Sequence, residues 1–150
     1  MNTNYEISLG TLAIVPNEEF SSLVFEDNNR YVVQQTPFEI LKDSCQYFGS
    51  TYEGRRNSSK LILGGDYKVP ILIESSHNLI LIPTASPYSS DCSWISLIHI
   101  KELSRIDKFN TLVIFDNDCK VIINCSYRSL ENQILRATKL SYVINQRMNK

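Results

Sequence analysis

Along most of this chain the apolar residues arrive in runs of four or five, bounded by turn residues, which is strand patterning. Thr11–Val15 is followed by Leu23–Glu26 and Tyr31–Gln35, the latter two separated by Asp27-Asn28-Asn29. The period then changes. Thr36-Pro37-Phe38-Glu39 offers an N-cap, a proline at the first helical position and an acidic third residue. Phe38, Leu41, Cys45 and Phe48 recur at three- and four-residue spacing on one helical face, and Gly49 suits the position just past its end. Strands are predicted again at Lys60–Leu63, Ile71–Glu74 and Leu79–Ile82, the last two joined by Ser75-Ser76-His77-Asn78. Trp94–Ile100 alternates, with Trp94, Ser96, Ile98 and Ile100 on one face. Leu112–Phe115 and Val121–Asn124 form a hairpin around Asp116-Asn117-Asp118, and the pattern closes with a long helix over Arg128–Arg147.

These elements predict an α+β fold, mostly antiparallel β-sheet or barrel, with one inserted helix and a long C-terminal helix. In pattern alone the second half resembles a pleckstrin-homology-like barrel. No repeat, low-complexity tract or long linker interrupts residues 1–150, so one domain is expected. A chain of 150 residues with 43% hydrophobic content can bury a core without disulfides or metals.

Projected at about 100° per residue, the terminal helix gathers Leu130, Ile134, Ala137, Ile144 and Met148 on one side. Arg128, Arg136, Lys139, Arg147 and Lys150 fall on an arc away from it. A solvated face opposite a buried one explains this in general, but such faces normally mix signs. Here Glu131 is the one acidic side chain after Asp118. The net charge of −1 hides a segregation: residues 1–53 carry eight acidic and two basic residues, residues 54–150 thirteen basic and eight acidic. A local basic surface of that kind permits nucleic-acid binding without demonstrating it.

Other chemistry finds little support. Cys45, Cys92, Cys119 and Cys125 are spaced too irregularly for a zinc or redox pair, and buried thiols are expected instead. Asp91, Ser96 and His99 lie close in sequence, yet Ser96 and His99 should point to opposite faces of one strand. No nucleophile elbow, P-loop, dinucleotide fingerprint or H-E-x-x-H motif is present, so no enzyme, metal site or cofactor is expected. The amino-terminal MNTNYEISLG lacks the pattern of a signal peptide, and the apolar runs are too short to span a bilayer. A cytoplasmic location is expected.

The most informative segment is Phe48–Arg56, FGSTYEGRR. Gly49 and Gly54 bracket what reads as a short irregular loop presenting Ser50, Tyr52, Arg55 and Arg56, followed by Asn57 and Lys60. Hydroxyls, amides and guanidiniums grip phosphate oxygens, and arginine suits a narrow A·T-rich minor groove. A polar surface loop with Tyr52 as a lid on the core accounts for the same composition equally well.

The string Cys45-Gln46-Tyr47-Phe48-Gly49-Ser50-Thr51-Tyr52-Glu53-Gly54-Arg55-Arg56 resembles the C-x-x-F-G-S-x-Y-x-G-R signature of the bacterial competence transcription factor family, ComK. The likeness continues through Pro70-Ile71, Pro83-Thr84 and Cys92-Ser93-Trp94-Ile95-Ser96, with His99 and Lys101. It resumes at Ser126-Tyr127, Ser129, Glu131-Asn132-Gln133, Arg136 and Leu140. The resemblance implies an activator of DNA-uptake genes that recognises paired A/T-rich boxes in double-stranded promoter DNA, largely through the minor groove. It also implies cooperating homo-oligomers and an adaptor that delivers the protein to a Clp protease. The residues themselves nominate a two-part DNA surface: Ser50, Tyr52, Arg55, Arg56, Asn57 and Lys60 from the loop, with Arg128, Asn132, Arg136 and Lys139 from the helix.

Two departures qualify this expectation. Glu53 puts a carboxylate inside the candidate loop, where phosphate repels it unless it pairs with Arg55 or Arg56. The chain stops at Lys150, whereas the family commonly carries a longer tail, so the resemblance does not carry over the multimer assembly and adaptor docking assigned to that tail. The alternative reading is a non-enzymatic pleckstrin-like protein-interaction module that has lost DNA activation.

Overall fold

The computed structural model describes residues 3–149. Met1, Asn2 and Lys150, the last of which belongs to the expected basic stripe, lie outside them. Three strands, β1 (Thr11–Pro16), β2 (Ser22–Glu26) and β3 (Asn29–Val33), form an antiparallel meander. Two helices follow, α1 (Pro37–Tyr47) and α2 (Tyr52–Leu63). A second meander, β4 (Ile71–Glu74), β5 (Leu79–Pro83) and β6 (Trp94–Ser96), returns to lie beside the first. The two meanders join antiparallel through Ala13 opposite Ile95 and Ile14 opposite Trp94, giving a six-stranded sheet of order β3-β2-β1-β6-β5-β4. Strands β7 (Ile100–Arg105), β8 (Thr111–Phe115) and β9 (Lys120–Ile123) form a second antiparallel sheet, and α3 (Tyr127–Met148) completes the order.

The large sheet is apolar on both faces because its strands alternate between two different cores. On one side Ile14, Val24, Ile71, Ile73, Leu81 and Trp94 pack with Ile40, Leu41 and Cys45 of α1 and with Tyr52. On the other, Leu12, Ala13, Phe25 and Ile95 meet Val113, Phe115, Val121 and Ile123 of the second sheet and Leu130 of α3. Farther along that face Leu72, Ile80 and Ile82 meet Ala137 and Leu140 of α3, with Ile62 and Leu63 of α2 against them. Each buried aliphatic side chain contributes roughly 1.5–3 kcal/mol of transfer free energy, and strands buried on both sides read as continuous apolar runs.

The expected α+β class, the antiparallel sheets, the inserted helix and the long terminal helix are all present. The capping prediction at α1 is met by a reciprocal pair: the Glu39 N–H donates to Thr36 Oγ1 at 3.2 Å and the Thr36 N–H to Glu39 Oε1 at 2.8 Å. Gly49 takes φ +87°, as its place after the helix requires. Cys45 and Cys92 are buried, and burial pushes both thiols up to about 11.

Three expectations need correction, and one strand carried no sequence signal. The sheets do not close into a barrel, since β3, β4, β7 and β9 are all edge strands. Trp94–Ile100 is not one strand: a 3-10 turn at Leu97–His99 carries the chain from the first sheet to the second, leaving Ser96 buried and Ile98 exposed. The six-residue β7 that follows has a largely exposed, polar sequence, so no apolar alternation announced it. Met148 is 60% exposed rather than on the buried side of α3, and Gln133 takes an inward position instead. Among the described residues no helix is long and apolar enough to cross a membrane.

His99, in the turn between sheets, ties the amino-terminal segment to the β8–β9 turn. Its Nε2 bonds the Leu9 carbonyl, and its Nδ1 lies 3.0 Å from Asp116 Oδ2. Both nitrogens can donate at once only in the imidazolium. Burial alone would lower the His99 pKa, but the Leu9 carbonyl and the Asp116 carboxylate outweigh it and raise the value. A raised folded-state value means that the contribution is complete below the unfolded histidine pKa and fades as pH rises through the folded one. The urea midpoint gap between wild type and His99→Ala is therefore expected to be widest near pH 5.5 and to narrow toward pH 8.5; a gap that does not vary with pH excludes the charged bridge.

Candidate nucleic-acid interface

The segment predicted as a phosphate-gripping loop is a helix. Thr51 caps α2, its hydroxyl accepting from the Gly54 N–H at 2.9 Å, and the helix runs on through the stretch predicted as the strand Lys60–Leu63. It ends at Gly64, whose N–H donates to the Lys60 carbonyl at 2.8 Å. Helix formers are scarce between Gly54 and Ser59, so propensity gave no warning. A three-residue apolar run such as Leu61–Leu63 cannot distinguish strand from helix by its period.

Helical geometry decides which of the nominated residues can face a ligand. Tyr52 points inward at 1% exposure, its ring packed edge-on against Phe38 at 5.0 Å between centroids. Its hydroxyl has no hydrogen-bond partner among the described residues, and burial, assisted by the nearby Tyr88, pushes its pKa up to about 12. Tyr52 is thus a core residue. Arg55 is half-buried on the side of Cys45, with its Nε enclosed and without a hydrogen-bond partner among the described residues. Ser50 is half-buried between the helices, its N–H donating to the Cys45 carbonyl at 2.9 Å. Glu53 is exposed in the first turn of α2, where the helix dipole favours a carboxylate. It makes no ion pair with Arg55 or Arg56.

Arg56 and Arg136 both reach one connecting segment. Gly64–Lys68 runs as a strap from α2 toward β4. Arg56 Nη2 donates to the Asp66 carbonyl at 3.1 Å. Arg136 Nη1 donates to the Tyr67 carbonyl at 2.8 Å and the Lys68 carbonyl at 3.2 Å, and Gln133 Nε2 also donates to Lys68 O at 2.6 Å. Partial burial lowers the Arg136 pKa, which normally lies far above neutrality. Lys68 reaches sideways to donate to Ser129 Oγ at 3.2 Å. The Gly64-Gly65 doublet was the available signal for a special turn.

Around this strap the surface is hollowed twice. Asn57 and Arg56 line one concavity, Asn132 and Arg136 the other, and Asp66, Tyr67 and Lys68 border both. Arg128 and Lys139 lie exposed on the same side of α3 as Asn132. Lys60, half-buried in the last turn of α2, borders neither hollow. The ion pairs among the described residues are His77–Glu74, His99–Asp116 and Lys101–Asp118, so no cation of α2 or α3 takes part in one. Among those residues no group of three or more His, Cys, Asp or Glu is placed to hold a metal.

Comparison with known proteins places the chain. The family described as ComK protein matches residues 2–149. A competence transcription factor of Bacillus subtilis (strain 168) is 32% identical over 149 residues, covering 97% of this chain and 78% of its own length. No solved structure matches. The chain belongs to the ComK family.

Two substitutions separate the structural residues from surface ones. Tyr52→Phe removes an unmatched buried hydroxyl and is expected to leave the unfolding free energy from urea titration unchanged or higher, by up to about 1 kcal/mol. Arg136→Ala removes a donor from the largely exposed Tyr67 carbonyl and from the Lys68 carbonyl, which Gln133 still holds, and is expected to cost about 0.5–1.5 kcal/mol, with faster amide hydrogen exchange at the strap. A Tyr52→Phe variant that unfolds readily would show that its hydroxyl is paired after all.

Proposed function

We propose that this member of the ComK family is a competence transcription factor: a non-enzymatic activator of DNA-uptake genes that acts in the cytoplasm as a homo-oligomer. It recognises paired A/T-rich boxes in double-stranded DNA, largely through the minor groove, and is subject to an adaptor that delivers it to a Clp protease. The match of the family across residues 2–149 carries this reading. The name of the relative at 32% identity agrees with it.

The surface of α3 is consistent with phosphate contact. Arg128, Asn132 and Lys139 are exposed on one flank, and Arg136 stands beside them with its guanidinium partly held by the strap. Cations without carboxylate partners are free to neutralise phosphate, and each neutralised phosphate releases condensed counterions. Arginine is favoured further where an A·T tract narrows the minor groove and deepens its negative potential. The residues taken for this surface are Arg128, Asn132, Arg136 and Lys139, with Arg56 and Asn57 across the strap; Ser50, Tyr52, Arg55 and Lys60 are left out of it.

In a gel-shift series, duplexes with paired A/T tracts are expected to be retarded at lower protein concentration than G/C duplexes, and a minor-groove drug should compete. Arg128→Ala combined with Lys139→Ala should weaken binding and flatten the plot of log affinity against log salt by about 1–2, given about 0.9 per phosphate contact. A stable complex with another protein, and no retardation of any duplex at low salt, would favour the interaction module instead.

A further inference from the structure

We infer that the Gly64–Lys68 strap is the element that enters the DNA groove, with Tyr67 at its crest touching the bases and the hollows on either side seating the two sugar–phosphate strands. This rests on the DNA-binding reading above and adds to it the part of the protein that reads the groove.

The first support is dimensional. A minor groove about 6 Å wide and 7.5 Å deep cannot admit an α-helix, which measures about 10–12 Å across with its side chains. Neither α2 nor α3 can enter; both can only flank. The strap between them is a single width of backbone. It borders two concavities of about 480 and 520 Å³, one lined by Arg56 and Asn57, with the Glu53 carboxylate opposing phosphate at its edge, and the other by Ser129, Asn132 and Arg136. A crest between two donor-lined hollows is the relief complementary to a groove between two phosphate walls.

The second is rigidity. Gly64 and Gly65 take φ of +75° and +73°, which glycine adopts freely, whereas Lys68 at φ +50° holds a conformation that needs outside support to persist. That support comes from both helices: Arg56 holds the Asp66 carbonyl, Arg136 the carbonyls of Tyr67 and Lys68, and Gln133 the latter as well. Fixing two arginines and a glutamine onto a short surface segment costs rotamer freedom. Preorganising a binding element recovers such a cost when the ligand arrives.

The third is chemistry. Tyr67 is 70% exposed, with the Lys68 ammonium 5.2 Å from its ring centroid, so a cation and an aromatic ring travel together on the crest. An aromatic body can wedge against a base step, and its hydroxyl can donate to the A N3 and T O2 acceptors that line an A·T minor groove. The same groove is strongly negative, so the exposed Asp66 opposes entry. Arg56 and Arg136 act here as positioning residues, through the strap carbonyls they hold.

Fluorescence anisotropy on a duplex with paired A/T tracts tests the assignment. Tyr67→Ala is expected to weaken binding about tenfold, comparable to losing one base–aromatic contact, with the salt slope unchanged because no phosphate contact is lost. Its thermal midpoint should match wild type, since the side chain lies largely in solvent. Asp66→Asn should tighten binding about three- to tenfold by removing a repelled charge. Wild-type binding with both variants indistinguishable from it overturns the strap while leaving the DNA reading intact. So does tighter binding to the separated single strands than to the duplex. Failure of the wild type to bind any duplex at low salt overturns the DNA reading and the strap together.

Discussion

The structure depends on one constraint: a six-stranded sheet that is apolar on both faces cannot face water on either. Leu79 and Leu81 of β5 feed one core while Ile80 and Ile82 feed the other, and β4 and β6 divide their side chains in the same way. Two covers are therefore obligatory. One is α1, fixed at its start by the Thr36–Glu39 capping box. The other is assembled from the second sheet and α3, which share the opposite face. With the covers in place, α2 is left along the margin, where its last turn meets α3 and its first turn meets the α1 core. The candidate interface lies at that margin because both helices converge there on the one connection that must pass between them.

This arrangement uses arginine in two ways. Arg56 and Arg136 spend their donors on backbone carbonyls of the strap, acting as struts with a charge attached. Arg128 and Lys139 have no such duty and project from α3. A carbonyl-bound guanidinium keeps its positive charge, since its partners are neutral dipoles, so the struts still add to the local potential. What they give up is mobility. Their charge stays at a set distance from the strap, whereas a lysine on solvent can follow a phosphate. The basic surface is consequently part rigid and part adaptable.

The sequence disclosed those features that repeat a period or carry a cap. The strands β1, β2, β4, β5, β8 and β9 are legible from short apolar runs, α1 from its cap and α3 from its amphipathic stripe. The misreadings share a physical cause. The segment Tyr52–Leu63 has a glycine, an asparagine and two serines where a helix prefers better formers, and it is held by a cap and by tertiary contacts that no local pattern displays. Strand β7 is polar because most of its side chains face solvent, and Ile98 fell out of phase because a 3-10 turn intervenes. At the candidate site, residue type nominated Arg56, Asn57, Asn132 and Arg136, which the structure gathers around the strap. It erred at Tyr52, where an aromatic hydroxyl reads the same whether it faces solvent or a core. The strap stayed hidden because its importance lies in backbone carbonyls, which are common to every residue.

The seam between the two meanders bears on how the chain is made. Residues 13 and 14 pair with 95 and 94, so β1 finds its inner neighbour only after some eighty further residues have been joined. At about 5–20 residues per second of synthesis, the first meander exists for roughly 4–16 seconds with one edge of β1 unclaimed. Such an edge, carrying Leu12, Ile14 and Val15, is a template for any other extended segment nearby. The charge segregation acquires a second meaning in that interval. The first 53 residues carry eight acidic and two basic side chains, and an excess charge of one sign disfavours association between copies while that edge is open.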